Sequence, residues 1–243
     1  MSFDFIAPHY RWLEHIAFAN TLQKARIFFL NQISQPRRVL LAGEGNGRFL
    51  REFAQKFPEA CVDCVDGSER MLQLARAQLR DDKGGRIKFF QYDVRRWVPD
   101  ENVYDVIVTH FFLDCFTEAQ IERVVATLAK AATPNAVWLL ADFSVPRERL
   151  QKLHAKAWLW IMHRFFRGLA RICARKLTDP SPFLEGEGFR CAQWEQWRLG
   201  LVGSQLWQRN RQVSGPPNDS SQCEAFANPV RRPEQDQLQS REN

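Results

Sequence analysis

No apolar run in this 243-residue sequence reaches the roughly 18–20 residues needed to cross a bilayer. The first residues, MSFDFIAPHYRW, lack a basic region followed by an apolar stretch, so no secretory leader is expected and a cytoplasmic location is. No internal repeat is present. Cysteine is sparse: the six (Cys61, Cys64, Cys115, Cys173, Cys191 and Cys223) are scattered, and free thiols are expected. Cys61 and Cys64 form a C-x-x-C, but it lies inside the strand-like run ACVDCVD and has no second pair. Neither a redox motif nor a metal site is expected there. Excess charge is absent over most of the chain. The net charge of +6 comes from residues 147–176, where nine basic residues and one acid give +8 and leave −2 for the rest. Basicity confined to one segment argues against a protein that coats nucleic acid with its whole surface.

Hydropathy is what the sequence does have, in alternating periods. Residues 9–33 carry apolar side chains at helical spacing (Tyr10, Leu13, Ala17, Leu22, Ala25, Phe29) up to Pro36. Short apolar runs then predict strands at 38–42, 61–65, 87–91, 104–109 and 136–141. Helical patterns at 46–57, 69–79 and 117–131 separate them, with Ser68 and Thr117 as caps for the last two. Strand and helix alternating in this way call for a parallel sheet with helices on both faces. Residues 189–197 and 201–209 read as an antiparallel hairpin. The expected architecture is therefore α/β: a doubly wound, mostly parallel seven-stranded sheet ending in that hairpin. The expected domains are an N-terminal helical lid over 1–37, the main domain over 38–209 and a disordered, polar tail over 210–243.

The chemistry lies in VLLAGEGNGRFL, residues 39–50. A glycine-rich turn between strand and helix lets backbone approach a ligand, and the free N–H groups of the helix favour negative charge. The dinucleotide fingerprint G-x-G-x-x-G needs a third glycine where this chain has Arg48, and no Gly-Lys-Ser/Thr follows as in a P-loop. The spacing is G-x-G-x-G, Gly43, Gly45 and Gly47. Asp66 closes the second strand, where an acid accepts from ribose hydroxyls. Asp93, after the third strand, is placed to accept from an adenine amino group. Ribose and adenine are provided for and a pyrophosphate is not, which points to an adenosine without a diphosphate.

With these pieces in order, VLLAGEGNGRFL, VDCVDGSERML, FFQYDVRRW and YDVIVTHFFLDCF, the chain resembles the class I S-adenosylmethionine-dependent methyltransferases over about residues 38–209. The resemblance implies S-adenosylmethionine as cofactor. Gly43, Glu44, Gly45, Asn46 and Gly47 would lie against its methionine part, Asp66, Gly67 and Ser68 at the ribose, Asp93 and Val94 around the adenine, and Thr109 to Phe111 beside the methyl group. One departure is Leu41, where many relatives carry an acid that places the methionine end; two readings stand open, Glu44 as a partial stand-in, or a core Leu41 with the cofactor held without an acid there.

Methyl transfer from a sulfonium needs in-line alignment, and a base only when the acceptor must lose a proton. His110, at the end of the fourth strand, is the candidate base. His9 and Tyr10 on the lid would face the acceptor. In residues 147–176 a basic stripe (Lys152, Lys156, His163, Arg167, Arg171) adjoins Trp158, Trp160, Phe165 and other apolar residues. Such a segment suits a hydrophobic small-molecule acceptor, with peripheral membrane contact as a further expectation. The competing readings are a non-catalytic scaffold on the same fold and a nicotinamide-dependent oxidoreductase. No nucleic-acid acceptor is expected, because THFFLD stands where Asn-Pro-Pro-Tyr would.

Overall fold

The computed structural model describes residues 20–79, 85–144, 177–198 and 200–209. His9, Tyr10, the 147–176 segment and the 210–243 tail lie outside the described residues.

The elements run α1 (Thr21–Ile27), β1 (Arg38–Ala42), α2 (Arg48–Lys56), β2 (Cys61–Asp66), α3 (Glu69–Gln78), β3 (Ile87–Gln91), β4 (Tyr104–His110), α4 (Glu118–Ala131), β5 (Ala132–Phe143), α5 (Ser181–Gly186), β6 (Phe189–Trp197) and β7 (Val202–Arg209). They build one seven-stranded sheet in the order β3-β2-β1-β4-β5-β7-β6. The first five strands are parallel, and β7 pairs antiparallel with both β5 and β6. The order reverses between β1 and β4, so their carboxyl ends flank the crevice in which open α/β sheets bind ligands.

Each face of the sheet buries its own core. On one side Leu40, Ala42, Ile107, Trp138 and Leu140 pack against Ile121, Val124, Val125 and Leu128 of α4 and Leu184 of α5. On the other, Val39, Leu41, Cys64, Val106 and Val108 pack against Phe49, Leu50 and Phe53 of α2 and Ala75 of α3. Leu22 and Ala25 of α1 join Ala141 and Val202 in a smaller cluster. Apolar residues on both faces of β1 and β4 explain the continuous runs in those strands.

The caps match the sequence reading. Ser68 Oγ accepts from the Met71 N–H at 3.2 Å, and the Thr117 N–H donates to Gln120 Oε1 at 3.0 Å at the start of α4. The N-terminal helical pattern is shorter than expected: α1 ends at Ile27 and a separate 3-10 turn follows at Leu30–Gln32. Cys61 and Cys64, three apart on one strand, face opposite sides and do not pair with each other. Cys64, Cys115 and Cys191 are free, whereas Cys61 is in a disulfide, which corrects the expectation of free thiols throughout.

Candidate cofactor site

All three glycines of the loop adopt left-handed backbone, with φ of +71° at Gly43, +67° at Gly45 and +78° at Gly47. Two are also hemmed in. A Cβ on Gly47 would lie 2.6 Å from Ala75 Cα, so α3 packs against bare backbone there, and one on Gly43 would meet the Phe112 ring at 2.0 Å. A Cβ on Gly45 would meet nothing within 4 Å. The loop is therefore tied down at its two ends and open at its centre, as a ligand cradle requires.

Asp66 links this loop to the next. Its Oδ2 accepts from the Gly45 N–H at 3.2 Å and its Oδ1 from the Ser68 N–H at 2.9 Å. The Ser68 hydroxyl is committed to the cap of α3 and is buried. Gly67 sits between them with no close neighbour. Asp93 is engaged by Arg95, whose Nε donates to Oδ1 at 2.8 Å while its terminal nitrogen meets Oδ2; that guanidinium holds the carboxyl below its ordinary range. Val94 is buried in the core beside it. An adenine at this point would share Asp93 with Arg95.

Glu44 is turned toward the start of α2. Its Oε1 accepts from the Phe49 and Leu50 N–H groups at 3.0 and 2.9 Å, so the carboxyl caps α2 from within the loop. Burial pushes it up to about 7, against the opposing effect of those two N–H bonds and of the Arg26 charge. Leu41 is fully buried under α2. The missing acid is thus replaced by a core leucine.

Thr109 and His110 are neighbours on β4 but point to opposite faces. Thr109 is fully buried, and its Oγ1 accepts from Trp138 Nε1 at 2.8 Å, so its hydroxyl is engaged inside the sheet. His110 packs edge-on against Phe49 with ring centroids 4.7 Å apart. Burial, and then the Arg26 charge, hold its pKa well below the ordinary value, so the ring is neutral, and Nδ1 has no hydrogen-bond partner. Phe111, next along, has φ +52°, an uncommon conformation for a residue with a side chain, as the chain turns out of β4 into the crevice.

Sequence reasoning missed Arg26. It is 6% exposed and lies with its guanidinium 4.9 Å over the Phe111 ring. The signal was present: Arg26 falls four residues after Leu22, on the apolar side of the helical pattern, where a cation is out of place. Asp114 and Asp142 form a second polar group at this edge. Asp142 accepts from the Asp114 N–H at 3.2 Å and the Phe143 N–H at 2.9 Å, and the two carboxyls hydrogen-bond each other. Burial raises both, Asp114 to about 6 and Asp142 well above its ordinary value.

Residues 39–135 match the profile of the methyltransferase domain family. Residues 39–135 are thus a methyltransferase domain by this match, on a sheet whose fold is that of S-adenosylmethionine-dependent methyltransferases. Among curated proteins the chain is 34% identical over 115 residues to a malonyl-[acyl-carrier protein] O-methyltransferase of Halalkalibacterium halodurans, covering 45% of this chain and 40% of the relative. It is 32% identical over 129 residues to a trans-aconitate 2-methyltransferase of Streptomyces avermitilis, covering 51% and 47%. The chain thus spans less than half the length of these curated relatives. Its fold is shared with a 1,6-didemethyltoxoflavin-N1-methyltransferase of Burkholderia thailandensis, solved with 1,6-didemethyltoxoflavin and S-adenosylhomocysteine. That likeness has a TM-score of 0.60 at 15% identity and covers 86% of this chain and 84% of the other. No described helix is long and apolar enough to cross a membrane, and no group of three or more potential metal ligands occurs among the described residues.

Proposed function

We propose that this chain transfers the methyl group of S-adenosylmethionine to a small molecule. The observation that supports the proposal is the hydrogen bond from the open Gly45 backbone to the Asp66 carboxylate, which suits a ribose acceptor beside a glycine-rich cradle. When bound, the cofactor supplies an electrophilic methyl on a sulfonium, whose departure needs no assistance from the protein. The chain has to bind and align. Gly43 to Gly47 cradle the ligand, Asp66 takes the ribose hydroxyls, and Asp93 and Val94 flank the adenine. Gly67 leaves room beside the ribose, and the hydroxyls of Ser68 and Thr109 act only through the walls they brace.

His110 serves as base only for an acceptor that is already acidic, because a neutral imidazole with a depressed pKa is a weak proton acceptor. The aromatic pattern of residues 147–176 supports a hydrophobic part in the acceptor. The acceptors named for both curated relatives are carboxylic acids, and the basic stripe of the same segment suits an anion. Isothermal titration with S-adenosylhomocysteine tests the reading. Binding that Asp66→Ala weakens is expected, and absence of binding overturns it.

Leu41 in the core favours a second reading, a methyltransferase-like protein that has lost catalysis and docks on membranes through its basic segment. Association with liposomes, without binding of S-adenosylhomocysteine, would replace the first reading by this one.

A further inference from the structure

The sheet has two edges, and they differ in how they are guarded. At one end β3 has only five residues; it carries Lys88, and the Arg76 guanidinium lies 4.9 Å over its Phe89 ring. Short length and charge are the usual means of preventing edge-to-edge pairing. At the other end β6 has nine residues, FRCAQWEQW, with neither lysine nor proline. Its residues from Arg190 to Gln196 are all exposed. Trp194, at 65%, is more exposed than any other large apolar side chain among the described residues. Glu195 Oε1 accepts from the Gln196 N–H at 3.1 Å, a local bond that leaves the carboxylate's charge unbalanced.

A bulge in β6 decides which of these side chains share a face. Cys191 lies opposite Trp207 and Gln193 opposite Leu206, so Ala192 is an extra residue. On an unbroken strand, positions five apart face opposite ways. Across this bulge Arg190 is opposite Gln208 and Glu195 opposite Ser204, four apart on β7, so the two charges share one face. Gln193 is on that face too, where its Oε1 accepts from Gln32 Nε2 at 2.9 Å. Cys191 and Trp194, opposite Trp207 and Gln205, share the other face.

We propose that β6 is a dimerisation edge, pairing antiparallel with β6 of a second copy of this chain about a two-fold axis beside Ala192 and Gln193. Main-chain bonds then carry the sheet across the interface. A two-fold axis normal to the sheet reverses strand direction and preserves faces. It sets Arg190 opposite Glu195 of the second copy and Cys191 opposite its Trp194, and symmetry makes each pair twice. Both pairs join side chains of one face, which only the bulge allows. A second copy suits this edge because the edge is complementary to itself: one cation and one anion, equally far from the axis, on the same face. Each exposed indole meets a small thiol rather than another indole. The crevice between β1 and β4 lies beyond β7 and β5 from this edge, so dimerisation is independent of what the crevice binds.

Sedimentation equilibrium on the full chain tests the pairing. At about 100 µM the wild-type protein is expected to show twice the 28.4 kDa of one chain. Glu195→Arg sets arginine against arginine at both pairs, and Arg190→Glu sets glutamate against glutamate. Each is expected to weaken the dimer by about tenfold or more. The double variant, Arg190→Glu with Glu195→Arg, places opposite charges together again and should return to within about threefold of wild type. A wild-type chain that stays monomeric overturns the proposal. A dimer indifferent to the single reversals uses another surface and overturns it as well, as does a double variant no tighter than the single ones. Should a reversal unfold the chain, Trp194→Ser is read instead; it keeps the charge and removes the indole, and a dimer it leaves unchanged overturns the pairing.

Discussion

The carboxyl edge of the sheet treats its polar groups differently on its two faces. Under α4, Thr109 is paired with Trp138, and Asp114 and Asp142 are bonded to each other and to backbone N–H groups. Under α1 and α2, the atoms Asn46 Nδ2, His110 Nδ1 and Gln23 Oε1 have no partner. The difference lies in what closes each face. The α4 side is closed by the sheet's own hydrogen bonds and by two carboxyls hydrogen-bonded to each other. The α1 side is built from elements distant in sequence, and these three buried atoms are left unpaired there.

The glycine loop joins the two faces, and the largest effect is expected there. Gly47→Ala puts a Cβ against the Ala75 backbone in a left-handed conformation. Loss of about 3 kcal/mol is expected from strain and overpacking combined, measured by urea unfolding. A near-neutral result would show that α3 can slide away and that the two faces are less rigidly joined than the structure has them.

Asp66→Ala removes the acceptor beside the cradle and a bond to Gly45. S-adenosylhomocysteine affinity should fall by about ten- to hundredfold, the range for losing hydrogen bonds to a charged group. Unchanged affinity would remove the assigned ribose contact.

Titration sharpens the comparison. Glu44 on one face and the Asp114–Asp142 pair on the other are acids with raised pKa in the folded state. Such acids hold protons that the unfolded chain has released, so their contribution turns unfavourable as pH rises from the unfolded value through the folded one. For Glu44 that window runs from 4.5 to about 7. Glu44→Gln keeps an oxygen for the Phe49 and Leu50 N–H groups and lacks the buried charge. A gain on the order of 2 kcal/mol at pH 8, and little at pH 4.5, is expected by denaturation at the two pH values. Its S-adenosylhomocysteine affinity should stay within about twofold if capping is its role.

Asp114→Asn imitates the protonated partner of Asp142. It should raise stability by about 1 kcal/mol above pH 6 and flatten the pH dependence there, again by denaturation at several pH values. The smallest effect belongs to Ser68→Ala, which removes the cap of α3 at a cost of about 1 kcal/mol without touching either face.

Most of the fold was legible before any coordinates. The strand at 87–91 matches β3 residue for residue, and the hairpin and the helix after Thr117 fall within a residue of expectation. Hydropathy period, capping residues and turn glycines are local signals, and these elements depend on little else. The site was legible in part. The glycines and Asp66 are where the spacing placed them, because a strand, a tight loop and a helix set that geometry among neighbours.

The sequence by itself therefore determined a parallel α/β sheet with a glycine loop and Asp66 at its switch point, through patterns spanning a few residues each. Tertiary structure decided what Glu44, Thr109 and His110 are for. Glu44 turns to α2 because the helix start offers it two N–H groups at closer range than the crevice does. Thr109 and His110 receive opposite fates because adjacent strand residues face opposite layers, one holding Trp138 and the other Phe49 and Arg26. Arg26 reaches the loop only when α1, 15 residues and more before the loop's first glycine, folds over it. No local pattern encodes that arrival, since it depends on how the two layers close over the sheet edge.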